Sequence, residues 1–152
     1  METPVIDFHC HAGRNGRFGV NDDPELYLRI MDAAGIDKSC INCVQYGDAR
    51  KGNDYVAKFV DKYPDRFIGV AYVTPRYPEE AMAELERCFG ELGMKYLKIY
   101  PDYFGKPLDD PAYFPIFEWL NKRGLAVMSH AVFPFDEPDV TVAKRFKNLS
   151  ER

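Results

Sequence analysis

The feature that most constrains this chain is a period. Short runs rich in β-branched and aromatic residues begin at Val5, Lys38, Phe67, Tyr96 and Ala126, at spacings of 33, 29, 29 and 30 residues. The runs themselves, Val5 to His11, Lys38 to Val44, Phe67 to Thr74, Tyr96 to Tyr100 and Ala126 to Ala131, have strand length and leave room for a helix between each pair. Between them the apolar residues fall on one side of a helical period: Leu26, Ile30 and Ala33 or Ala34; Val56, Phe59, Val60 and Tyr63; Met82, Leu85, Phe89 and Leu92; Phe114, Phe117 and Leu120. Boundary chemistry agrees. Asp23 and Pro24 open a helix that Gly35 ends, Asp110, Pro111 and Gly124 repeat the pattern, and Pro78 opens a helix that closes at Gly93.

Strands alternating with one-sided helices predict right-handed βαβ units and a parallel sheet, either closed as a barrel or open and doubly wound. Eight units of this period need roughly 240 residues, the size of a (β/α)8 barrel. The 152 residues supply five such units, so the expectation is a single (β/α) domain over residues 1–152 that stops before strand six.

Composition narrows the partners. Net charge is −4 and the 20 Lys and Arg are scattered, which argues against a nucleic-acid partner. No apolar run approaches 18 residues and the start, METPVIDFHCHAG, lacks the basic and apolar segments of a signal peptide. A cytoplasmic protein with no membrane partner is expected. Cys10, Cys40, Cys43 and Cys88 fall in apolar runs and read as small hydrophobes. Cys40 and Cys43 form a C-x-x-C pair, but positions three apart on a strand point to opposite faces and cannot jointly grip a metal.

The first strand, Val5-Ile6-Asp7-Phe8-His9-Cys10-His11, carries the most chemistry. A period of two puts Asp7, His9 and His11 on one face, and Ile6, Phe8 and Cys10 on the other, under helices. Two imidazoles two apart on a strand can reach one cation from the same side, although H-x-H by itself also fits solvated histidines. The remaining histidine, His130, ends the fifth run. All three histidines therefore sit at C-terminal strand ends, the edge where parallel α/β folds build sites. Lys98, between Tyr96 and Tyr100 on one face of the fourth run, is a charge in a strand interior. It reads either as a lysine reaching along its stem to water or as a functional lysine.

Ile6-Asp7-Phe8-His9-Cys10-His11-Ala12-Gly13, Phe67-Ile68-Gly69-Val70-Ala71, Leu97-Lys98-Ile99-Tyr100-Pro101 and Met128-Ser129-His130-Ala131, in this order, resemble the N-terminal half of an amidohydrolase-superfamily protein. The nearest branch is the amidohydrolase-related group of TIM-barrel metal-dependent hydrolases, which includes aminocarboxymuconate-semialdehyde decarboxylase. The resemblance runs from about residue 5 to residue 146. It implies a TIM-barrel-like fold, a divalent metal, expected to be zinc, held by His9, His11 and His130, and a small-molecule substrate contacted by Lys98 and Tyr100. In two-metal members of the superfamily a lysine at the place of Lys98 bridges the metals, which stays open as an alternative. Asp7 is expected behind the ligands, orienting an imidazole. The resemblance also implies a strand-six histidine and a strand-eight aspartate, for which no position here is assigned; Asp136, Glu137 and Asp139 are the acidic residues after strand five. Phe133 and Phe135, with Tyr100, Tyr103 and Phe104, are expected on loops that line a pocket or a partner surface.

The expected activity is hydrolysis of a small amide, ester or lactone through a metal-activated water. The alternatives are decarboxylation or hydration of a small unsaturated acid at the same centre, an incomplete fragment that self-associates through open strand edges, and a Schiff-base aldolase on Lys98, which leaves the histidines unexplained.

Overall fold

The computed structural model describes residues 3–14 and 23–130, together with 144 and 147. Most of the helix expected around residues 140–146, the aromatics Phe133 and Phe135, and Asp136, Glu137 and Asp139 lie outside the described residues. Five strands, β1 (Ile6–His11), β2 (Lys38–Asn42), β3 (Phe67–Tyr72), β4 (Tyr96–Ile99) and β5 (Val127–Ser129), form one parallel sheet in the order β1-β2-β3-β4-β5. A doubly wound sheet needs a point where the order reverses, and none occurs among these strands. Crossovers of one hand that always step to the next position put their helices on the same side, so the sheet curls as an arc of a barrel.

The helices are α1 (Pro24–Ala34), α2 (Ala49–Lys62), α3 (Pro78–Gly90), α4 (Pro101–Phe104) and α5 (Phe114–Asn121), with a 3-10 turn at Pro111–Tyr113 before α5. The Asp23 carboxylate accepts from the Glu25 N–H at 3.0 Å and Pro24 fills the first turn of α1. Gly35 ends that helix at φ 67°, a conformation that costs a residue with a Cβ, and its N–H donates to Asp32 and Met31 carbonyls. Asp48, which the sequence does not advertise, caps α2 through Lys51 N–H at 3.1 Å. Helix α3 stops at Gly90, three residues before the turn at Gly93.

Side chains alternate between two apolar layers. Ile41, Phe67, Leu97 and Ile99 pack under the helices with Val56, Phe59, Leu85 and Ile116, while Cys40, Val70 and Tyr96 meet Ile68 and Met128 on the other face. Cys40 and Cys43 fall in different layers, and all four cysteines are free. No helix among the described residues is long and apolar enough to cross a membrane.

Helix α2 is locked onto the ends of β2 and β3 by a glycine and an asparagine. A Cβ at Gly52 would lie 2.5 Å from the Cys43 carbonyl oxygen, so only glycine permits this approach. The adjacent Asn53, fully buried, accepts from Tyr72 N–H and donates to Tyr72 C=O, both at 2.9 Å, as a neighbouring strand would. Its amide also donates to Glu84 at 2.9 Å, and Arg87 holds that carboxylate with two bonds of 2.6 and 2.9 Å.

One local expectation fails. Strict alternation along β1 is broken by a register shift between Asp7 and Cys10, where three steps of β1 oppose two of β2. The strand bulges there. Phe8 is consequently not under the helices: it is 57% exposed and its ring stacks on Tyr96, a residue of the inner face, at 4.7 Å.

Candidate metal centre

Because all strands run parallel, their C-terminal ends share one edge, and this edge gathers the candidate residues. His9 and His11 remain side by side despite the bulge, ring centroids 4.7 Å apart. The Asp7 carboxylate accepts from the His9 backbone N–H at 3.0 Å, an Asx-type bond that gives this N–H an acceptor where the ladder is disrupted. One oxygen of Asp7 thus grips main chain at the bulge.

His130 follows β5 directly, and its N–H donates to the Ile99 carbonyl at 3.1 Å. Its ring lies on that of Tyr100, which in turn stacks on Tyr103 at 4.3 Å. The Tyr100 hydroxyl is 3.5 Å and Asp102 Oδ2 3.8 Å from His130 Nε2. Lys98 is 1% exposed, with Nζ 5.4 Å from the centroid of the Tyr100 ring. Tyr96, Lys98 and Tyr100 share the inner side of the sheet as expected, with Leu97 and Ile99 behind them.

The electrostatics hold the imidazoles neutral. Burial, then the charges of His9, Lys98 and His130, lower the pKa of His11 to about 4. His9 is lowered by partial burial and by Lys98, against an opposing pull from Asp7. His130 is lowered by burial, with Asp102 opposing. Burial also lowers the pKa of Lys98. Neutral imidazole is the form that binds a cation.

Among the described residues no three His, Cys, Asp or Glu side chains stand together as a ready-made metal cluster. His9 and His11 make one pair, and His130 stands with Tyr100 and Asp102. The donor chemistry nonetheless fits a divalent metal. The imidazoles are biased toward neutrality.

Three residues that sequence reasoning missed act at this edge. Asn42, at the end of β2, is the register partner of His11 and donates to the Cys10 carbonyl at 3.0 Å. Asn53 clamps Tyr72, the register partner of Lys98. Asp102, in the turn after β4, approaches His130. A polar residue closing an apolar strand, as Asn42 closes Ser39-Cys40-Ile41, was the available signal.

The chain is 44% identical over 78 residues to 2-amino-3-carboxymuconate-6-semialdehyde decarboxylase of Dictyostelium discoideum, a stretch covering 51% of this chain and 22% of that enzyme. It is 35% identical to 2-keto-4-carboxy-3-hexenedioate hydratase of Sphingobium, over 54% of this chain and 26% of the hydratase. Its fold matches 5-carboxyvanillate decarboxylase of Novosphingobium aromaticivorans, solved with manganese and 3-methoxy-4-hydroxy-5-nitrobenzoic acid, with a TM-score of 0.66 and 32% identity over 83% of this chain and 39% of the other. The chain therefore spans less than half the length of each of these relatives. The pattern shared by the amidohydrolase family matches residues 6–149. That match covers most of the chain, and the chain belongs to the amidohydrolase family.

Proposed function

We propose that this chain carries the metal-binding, acid-recognising face of a metal-dependent decarboxylase acting on a small unsaturated carboxylic acid. The observation behind this reading is that His9 lies beside His11 on β1 while Lys98, Tyr100 and His130 lie together at β4 and β5 of the same parallel sheet. Decarboxylation displaces hydrolysis as the leading reading because the relatives above are decarboxylases and a hydratase.

His9, His11 and His130 would hold the cation, zinc or manganese, which when bound supplies positive charge that polarises substrate oxygens. Lys98 contributes an ammonium on the inner face, in surroundings dry enough to strengthen its attraction for a carboxylate. Departure of CO2 leaves an electron pair on carbon that needs a proton, and in this reading Lys98 Nζ, buried on the inner face, delivers it. Tyr100 orients His130 by its stacked ring and offers its hydroxyl to the substrate. Asp7 fixes the backbone at the first of the two β1 histidines.

Metal content and product analysis test the reading. Purified chain is expected to hold about one divalent ion and the His9→Ala/His11→Ala variant a trace; equal traces in both would end the metal reading. Incubation with unsaturated and aromatic carboxylic acids is expected to release CO2. The 35% identity to a hydratase supports a second reaction, in which the product gains the mass of water and no CO2 appears.

A further inference from the structure

Asn42 surrounds His11 on three sides. Its backbone carbonyl accepts from the Ala12 N–H at 2.8 Å, its side-chain amide donates to the Cys10 carbonyl at 3.0 Å, and His11 itself is its register partner across the β1–β2 ladder. The residues on both sides of His11 are therefore tied to a single asparagine that is fully buried. The Tyr27 hydroxyl fixes the remaining backbone group, donating to the His11 carbonyl.

The amide has a defined orientation. A carbonyl oxygen accepts hydrogen bonds and cannot donate, so the group facing Cys10 is the NH2 and the oxygen faces the other way. That oxygen, Asn42 Oδ1, is buried with no partner, and so is His11 Nδ1. One is an acceptor without a donor, and the other is a ring nitrogen able to carry a proton. The Asn42 side chain acts on the His11 ring as a hydrogen-bond partner that favours the protonated ring nitrogen; a proton on Nδ1 would serve both unpartnered atoms, whereas a proton on Nε2 would leave both without one.

We infer that Asn42 is a positioning residue that holds His11 in its Nδ1–H tautomer and so turns the Nε2 lone pair to a metal ion. One oxygen of Asp7 accepts from the main chain at His9, so the asparagine is the residue that bonds the strand on both sides of His11. The role of Asn42 rests on the reading of His11 as a ligand, and the tautomer itself can be measured without any metal.

The test is nitrogen–proton correlation NMR of the histidine side chains in the full chain, metal-free and at neutral pH. Wild type is expected to show the Nδ1–H tautomer at His11, and Asn42→Ala to lose it. Asn42→Asp keeps an acceptor for the ring N–H while removing the donor to Cys10, so it is expected to restore the tautomer. Titration with Zn2+ or Mn2+ alone should follow the same order, with affinity about 10- to 100-fold weaker in Asn42→Ala and recovered in Asn42→Asp. A clamp that served only the backbone would leave Asn42→Asp as damaged as Asn42→Ala, and this outcome overturns the inference. So does an Nε2–H tautomer in wild type, or one unchanged by Asn42→Ala in a variant that still melts cooperatively. If the tautomer is as expected but wild type takes up no metal, the inference about Asn42 stands and the metal reading of the site falls.

Discussion

The ring of Tyr100 lies almost flat on the imidazole of His130, centroids 4.2 Å apart and planes 13° from parallel. Two strands meet in this contact, since Tyr100 follows β4 and His130 follows β5. The ring and the hydroxyl do separable work. Tyr100→Phe keeps the stack and is expected to leave stability within about 0.5 kcal/mol of wild type. Tyr100→Ala loses the stack, worth about 0.5–1.5 kcal/mol beyond its buried area, and frees the imidazole to turn. Urea unfolding measures the first difference, and Zn2+ titration the second, with Tyr100→Ala expected to bind more weakly than Tyr100→Phe.

Acid should destabilise the metal-free protein over a defined window. His11 titrates near 4 when folded and near 6.5 when unfolded. Between those values the unfolded chain holds a proton that the folded chain lacks, so stability rises with pH across the window. The penalty is absent above about pH 6.5 and fully developed below about pH 4. His9 and His130 are lowered as well and act in the same direction. Urea midpoints measured from pH 4 to pH 7 with a chelator present should climb, and His11→Gln should flatten the climb.

Two glycines make opposite predictions. Gly52→Ala drives a Cβ to 2.5 Å from the Cys43 carbonyl oxygen, a backbone atom that cannot swing aside. A loss of about 1–3 kcal/mol is expected. At Gly90, the last residue of α3, a Cβ meets nothing within 4 Å. Gly90→Ala should stabilise by up to about 1 kcal/mol through lower unfolded-state entropy. Denaturant melts of the two single variants should therefore bracket wild type.

Removal of the Asn53 amide strands two buried groups together, the N–H and C=O of Tyr72, and takes one donor from Glu84, whose carboxylate keeps its bonds to Arg87. With each orphan costing about 1–3 kcal/mol, Asn53→Ala is expected to lose about 3 kcal/mol or more in an equilibrium unfolding experiment. Because Tyr72 is the register partner of Lys98, amide hydrogen exchange should speed up at β3 and β4 before it does at β1.

Under the proposed function Lys98 sets stability against turnover. An ammonium that burial depresses is costly to keep, and Lys98→Met replaces it with an apolar chain of similar length. The variant should unfold about 1–3 kcal/mol later than wild type and lose turnover of a carboxylic acid on the order of 100-fold. Melting together with CO2 release checks both halves.

The strand period, the one-sided helices and the caps at Asp23 and Asp110 were legible because each is a local signal repeated along the chain. The face of β4 that carries Tyr96, Lys98 and Tyr100 was legible from its alternation. What escaped was local geometry with no compositional mark. The bulge in β1 contains no glycine or proline, so alternation was the natural reading of Phe8 and Asp7. The roles of Asn42 and Asn53 depend on which backbone atoms a neighbouring strand leaves open, and that is settled only when the strands are side by side.

The strand order has a further consequence, for the time course of assembly. Each strand pairs with the one before it, so the sheet can grow one unit at a time as the chain emerges, without waiting for a distant segment. The candidate ligands, however, sit on the first and fifth strands of that growing arc. His9 and His11 are in place early, while His130 arrives with the last described strand, so tight metal uptake reports the completion of the arc and is silent about its earlier stages.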